Sequence, residues 1–386
     1  MSTHPFIAKA QLLYPEFIKI RRHLHAHPEL SFQEEKTSQF ICDFLSSHHI
    51  PFTTGWAGTG IVATFEGRSE RRIGLRADMD ALPIEEQTGS SFASIHAGIM
   101  HACGHDMHMA CLMGAALILS SIERPYHINM LFQPGEEKLP GGASLMIREG
   151  VLNNLDAIIG LHVFPELPAG HLGFRKGAYM ASSDEIFITV HGKGGHAALP
   201  HLIQDPVVGA SKLILAFQNI TKNFAPKNSP SVLAFGKVVA PGATNVIPDN
   251  VMLEGTLRTM DESWRMEAHQ LIQQIADDTL KESGLTSEVV IKKGYPVLIN
   301  HPEFTSDCQH LSKNIAGSHQ IHDLDIRMTA EDFAYYTQQI PGCFFRLGTG
   351  NANYPVHSSR FNPDENALIT GAATLAYLAT HVSLPV

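Results

Sequence analysis

The stretch "MHACGHDMHMACLMGAA", residues 100–116, gathers three histidines, two cysteines and an aspartate before the chain turns apolar. Thiolate, imidazole and carboxylate in one place can bind a metal, run redox chemistry or merely mark the entrance to a helix. Cys103 and His105 are two residues apart, so a helix would point them to different faces. A loop, freed by Gly104, would aim both at one point. On its own Cys103 reads first as a small buried hydrophobe.

The adjacent acids Glu136 and Glu137 of "QPGEE" are a second clue. Their plain reading is a solvated acidic turn. Pro134-Gly135 after an apolar strand, however, places both carboxylates at a sheet edge where ligands bind. Metal-assisted hydrolysis wants such a pair: one carboxylate on the ion, which lowers the pKa of bound water to about 7, and one to collect and pass on the proton. His162, on an apolar strand, and His357, in "NYPVHSSRFNPDE", read singly as a core histidine and a loop histidine. What links them is position. Cys103, His105, Glu137, His162 and His357 all fall at predicted strand exits or loops of one α/β region, and the mixed donor set suits Zn²⁺, Mn²⁺ or Co²⁺.

The elements that must hold these residues show in the periodicity. "RRIGLRADMDALP", "YHINMLFQPGEE" and "LDAIIGLHVFPE" read as strands ending in polar residues, with helices over Met107–Ser120 and Gly142–Glu149 between them. That is the pattern of an open α/β sheet. Ser31, three residues before Glu34, gives a capping-box signature for the amphipathic helix that follows. From about Ala181 a β-α-β-β-α-β order takes over and suggests an inserted ferredoxin-like sandwich. After Gly294 the α/β texture resumes and closes with a helix through "ENALITGAATLAYLATHV". "RKGAYMA" and "IKKGYPV" are the candidate hinges.

At 386 residues, two domains are expected. A formal charge of -10 without any basic run argues against nucleic-acid or anionic-membrane partners. No leader-like apolar segment and no spanning-length run is present, which points to the cytoplasm. Five scattered cysteines, never C-x-x-C, argue against a disulfide framework or zinc ribbon. A structural or storage metal site stands as the non-enzymatic reading, although its ligands would ordinarily come in close local pairs.

"RRHLHAHPELSFQE", "GLRADMDALPI", "MHACGHDMHMA", "LFQPGEE", "GLHVFPELPAG", "GKGGHAALPH", "TNVIPDNVMLEGTLRT" and "MTAEDFAYY" together resemble, in order, the metallo-amidohydrolase family of hippurate hydrolases, N-acyl-amino-acid amidohydrolases and indoleacetyl-amino-acid hydrolases. The resemblance runs from about Arg21 to the C-terminus. It implies an α/β fold: a metallo-exopeptidase-like catalytic domain, a mixed sheet flanked by helices, over residues 1–180 and 293–386, with an inserted ferredoxin-like α+β dimerisation or lid domain over 181–292. It implies two divalent ions per subunit, Mn, Zn, Co or Ni, held by Cys103, His105, Glu137, His162 and His357. Glu136 would be general base and acid, and a metal-bridging hydroxide the attacking group. His196 would complete the site from the inserted domain, in cis or in trans. Asn245 and Arg258 would bind the substrate's carboxylate, and Asp78 would orient His105 or its neighbours. In related peptidases a metal-binding histidine stands where "RAD" has Arg76. The implied activity is hydrolysis of N-acyl or N-aroyl amino acids by a cytoplasmic homodimer or higher homo-oligomer, with a dipeptidase or carboxypeptidase on small peptides as the alternative.

Overall fold

The computed structural model describes residues 4–385. The chain divides into two compact units: one runs to Gly177 and resumes with Ile299–Asp325 and from Asp332 onward, and the other comprises Ala178–Leu298 and Ile326–Glu331.

The first unit is built on an eight-stranded mixed sheet. Four neighbouring strands at its centre, His127–Gln133, Arg72–Asp78, Ala157–Phe164 and Gly342–Gly348, run parallel, and Gly60–Phe65 pairs antiparallel beside them. These strands are apolar with little alternation, as strands covered on both faces must be: Ile73, Leu75, Ile159, Leu161, Phe345 and Leu347 are buried. Being parallel, they deliver their C-terminal ends to one edge, so "RAD", "QPGEE", "GLHVF" and the loop leading to His357 emerge side by side. The helix His105–Leu119 is apolar on nearly every side and correspondingly buried, packed with the helices Pro5–Ala26 and Ala367–His381. Gly104 starts it at φ +85, where an added Cβ would lie 2.6 Å from Val163 Cγ2. Only glycine fits both the left-handed conformation and the close approach.

The expected capping box does not form. The next helix is Glu35–Ser47, and Glu34 at its cap position makes no side-chain capping bond. Ser31 instead donates to Asp80 Oδ2 at 2.7 Å, and Glu34 accepts from the backbone of Gly135 at 2.8 Å. Tertiary partners have taken the groups that local spacing assigned to the cap.

In the second unit the strands Asp184–His191, Ser231–Val239, Asn250–Thr259 and Thr286–Lys293 form an all-antiparallel sheet in the ferredoxin-like order, fourth, first, third, second. The helices Pro206–Asn219 and Glu262–Lys281 are each capped by an aspartate, Asp205 and Asp261, accepting from the first turn. Ile186, Ile188, Leu213, Phe217, Leu253, Trp264 and Ile272 share one core. The segment Ile326–Glu331 joins this unit through backbone pairing, Arg327 N–H donating to Tyr179 C=O and Ala181 N–H to Arg327 C=O. Backbone pairing between segments almost 150 residues apart leaves no periodic trace in the sequence. No helix among the described residues is long and apolar enough to cross a membrane.

Candidate metal centre

The C-terminal edge of the parallel strands gathers the candidate ligands. Cys103 lies in the turn before the helix His105–Leu119, and His105 is that helix's first residue. A carbonyl can only accept, so His105 Nδ1 must carry a proton in its 2.8 Å bond to Asp80 C=O, and Nε2 is the nitrogen that offers a lone pair when the ring is neutral. His162 is fixed likewise: Nδ1–H donates to Val163 C=O at 2.8 Å, and Nε2 stands 3.4 Å from Cys103 Sγ. This tethering of the far nitrogen is how ligating histidines are oriented. His357 takes a left-handed conformation, φ 67, with its N–H donating to Ala102 C=O at 2.8 Å. Its Nε2 is 3.3 Å from Glu137 Oε1. Glu136 and Glu137 are aligned by their own backbone, both N–H groups donating to the Asp80 carboxylate at 3.0 and 2.9 Å.

The donor atoms group in overlapping sets. Cys103, His105 and His162 offer atoms within 4.8 Å of one another, as do Cys103, Glu137 and His357, and again His105, Glu136 and Glu137. Cys103 belongs to two of these sets, an arrangement that could hold two neighbouring ions.

Two observations show that the residues fit such ions. His105 Nε2 and Glu137 Oε1 are buried without any hydrogen-bond partner, which costs free energy unless something else meets them. The electrostatics also ask for positive charge. Burial, then the carboxylates of Glu137 and Glu136, push the Cys103 thiol well above its ordinary range. Burial opposes a charge on His105, yet Asp78, Asp80 and Glu137 outweigh it and draw that ring up to about 10. Burial and the Arg346 guanidinium keep His162 neutral, with its pKa well below the usual value. A divalent cation inverts this balance, favouring the thiolate and the neutral imidazole together.

His108 is a neighbour and not a donor. Val163 N–H donates to its Nε2 at 2.9 Å, so Nδ1 carries the proton and donates to Asp78 Oδ1 at 2.6 Å. Both nitrogens are used. Asp78 therefore steadies His108 and accepts from Arg76 at 2.6 Å, while its Oδ2 lies 3.7 Å from His105 Nε2. The orienting bond to His105 comes from Asp80. Arg76 fills its place by pairing with Asp332 at 2.7 Å as well, and Gln133 closes that network. Sequence reasoning missed Asp80, Asp332 and Glu34. "RADMD" and "MTAEDF" held the first two in plain view, but nothing in spacing shows which backbone groups they meet.

His196, Asn245 and Arg258 belong to the second unit. His196 lies on a two-residue strand paired with Val246–Ile247, and Ala197 N–H donates to Asn245 C=O at 3.0 Å, so His196 and Asn245 are neighbours. Both are exposed. Arg258 is half-buried on Asn250–Thr259 and donates to Thr256 Oγ1 at 3.2 Å, and its guanidinium feels the charge of the Asp184 carboxylate.

A mixed parallel sheet with a thiolate, imidazole and carboxylate cluster at its strand exits, interrupted by a ferredoxin-like unit, defines a metallohydrolase architecture. Residues 74–381 match peptidase family M20/M25/M40. The chain belongs to this family and is an amide hydrolase. It is 42% identical to the N-acetyl-L-cysteine deacetylase of Bacillus subtilis (strain 168), covering 92% of this chain and 86% of that one. It is 36% identical to thermostable carboxypeptidase 1 of Saccharolobus solfataricus over 95% of both chains. Among solved structures it resembles the YXEP protein of Bacillus subtilis, described as a dinuclear metal-binding peptidase of the M20 family, with a TM-score of 0.83, 34% identity, and 96% of this chain and 98% of that one covered.

Proposed function

We propose that the protein hydrolyses the amide bond of N-acyl or N-aroyl amino acids, releasing a carboxylic acid and a free amino acid, with two divalent ions held by Cys103, His105, Glu137, His162 and His357. The observation that carries this reading is the convergence of five donors from residues 103 to 357, two of whose atoms, His105 Nε2 and Glu137 Oε1, are buried without a hydrogen bond. When bound, the ions supply Lewis acidity for the amide carbonyl and for water.

The chain's own residues do the rest. Glu136 is nearly buried, with its Oε1 3.4 Å from Asp332 N–H, and its side chain lies beside His105 and Glu137. In this role its carboxylate takes a proton from the attacking water and passes it to the departing amine. Asp80 holds the Glu136 and Glu137 backbone still, so that proton carrier and ligand keep a fixed separation. Arg258, a planar fork of donors, and Asn245 anchor the substrate's carboxylate, and His196 supports the oxyanion. The second unit acts as lid and dimer contact, forming a homodimer or higher homo-oligomer. A cytoplasmic location accords with five cysteines none of which is disulfide-bonded.

A panel of hippurate, N-acetyl amino acids and dipeptides tests the reading on protein loaded with Mn²⁺ or Zn²⁺. Turnover of the acylated amino acids supports it. Turnover of dipeptides alone would favour the peptidase alternative, which the 36% identity to a carboxypeptidase keeps in view.

A further inference from the structure

The segment "LSFQE", residues 30–34, plays no part in the chemistry above, yet it is built against the turn that carries Glu136 and Glu137. Glu34 is fully buried, and no Lys or Arg is among the groups that act on its carboxyl within the described residues. Its Oε1 accepts from Gly135 N–H at 2.8 Å and Phe32 N–H at 2.9 Å, and its Oε2 meets the Thr59 hydroxyl at 2.9 Å. Phe32 adopts φ 65, an unfavourable conformation for a bulky residue, and such outliers persist where surroundings enforce them. The enforcing contact is visible. Gly135, at φ +61, has no room for a Cβ, which would lie 2.3 Å from the Phe32 ring.

Three consecutive backbone N–H groups, those of Gly135, Glu136 and Glu137, thus end on two buried carboxylates, Glu34 and Asp80. We propose that Glu34 is a positioning residue: with Phe32 it clamps the Pro134–Glu137 turn at Gly135 and sets the aim of Glu137 toward metal and of Glu136 toward the reacting proton. This rests on the roles given to those two glutamates above. The clamp works through its acceptor geometry, since its partners are two backbone N–H groups and a hydroxyl; burial and then Asp80 also push the Glu34 carboxyl up to about 7. A glutamine reproduces that geometry, with its oxygen toward the two N–H groups and its NH₂ toward Thr59. An alanine leaves a buried N–H unmet on Gly135, and an aspartate is one methylene too short to reach it.

The test compares Glu34→Ala, Glu34→Asp and Glu34→Gln with wild type. Mn²⁺ affinity is measured on metal-stripped protein by competition with a chelating dye, and kcat and KM on N-acetyl amino acids. Glu34→Ala is expected to weaken Mn²⁺ binding and lower kcat, each by about 10- to 100-fold, the usual effect of losing a group that orients a ligand. KM should change less, Glu34→Asp should follow Glu34→Ala, and Glu34→Gln should stay close to wild type. A Glu34→Ala or Glu34→Asp protein that only melts earlier, keeping wild-type Mn²⁺ affinity and kcat, would overturn the clamp, as would a Glu34→Gln protein as impaired as Glu34→Asp. If Glu34→Ala does not fold, the Asp and Gln pair decides. Loss of Mn²⁺ affinity in a protein that cleaves none of the amides would contradict the functional reading and leave the clamp standing.

Discussion

Cys103, Glu136 and His108 are close in space and differ in what their removal should do. Glu136→Gln keeps size and hydrogen bonding but cannot carry the proton, so kcat should fall about 10²- to 10⁴-fold while metal content by elemental analysis stays at the wild-type level. Cys103→Ala removes an atom common to two donor sets, and the same metal analysis should show ions lost at a chelator concentration that wild type resists. His108→Ala should leave bound metal unchanged and instead destabilise the fold by about 1–3 kcal/mol for each of the two groups it strands, Asp78 Oδ1 and Val163 N–H, as read by urea unfolding. At this scale the sequence was legible where chemistry and spacing coincide, as in "CGHD". It was misleading where one residue serves a distant partner: Glu34 carried a capping-box spacing and holds Gly135, and Arg76 marked an absent histidine while pairing with Asp332, 256 positions away.

Elements converge on the cluster because the central strands are parallel, and their direction follows from apolar runs each ending in a polar exit. That much was readable from periodicity, as were the long apolar helix at residues 105–119 and the ferredoxin-like order of the second unit. Its anchor was not readable. Asp184, at the start of the first strand of that unit, accepts from Arg265 Nε at 2.9 Å, His269 Nε2 at 2.6 Å and Gly294 N–H at 3.0 Å. Removing it in Asp184→Ala leaves the Arg265 guanidinium buried without its main partner, a change that costs about 3–5 kcal/mol and should show as a lowered unfolding midpoint. Burial works against the Asp184 charge, but Arg265 and His269 hold its carboxyl down at about 2, below the ordinary 3.8. A depressed pKa in the fold stabilises above the unfolded value, so the contribution is complete above about pH 4 and is lost as pH falls toward 2. Unfolding midpoints of wild type and Asp184→Ala, measured down through that window, should converge at its acid end.

The molecule as a whole has two separate apolar cores, one per unit, each extensive without the candidate donors. Metal should therefore add stability without creating the fold: at a free concentration of 100 times Kd, one bound ion adds about 2.7 kcal/mol by mass action. Chelation is expected to lower the melting temperature while leaving far-UV circular dichroism at 25 °C unchanged, whereas a structural site would unfold on stripping. The most direct test of the central claim is the release of free amino acid from N-acetyl amino acids by stripped protein as Mn²⁺ or Zn²⁺ is added back. The cluster predicts no turnover in the stripped protein, recovery that saturates at two ions per chain, and none in Glu136→Gln at the same loading. Full turnover by the stripped protein, or by Glu136→Gln with its metal in place, would contradict it.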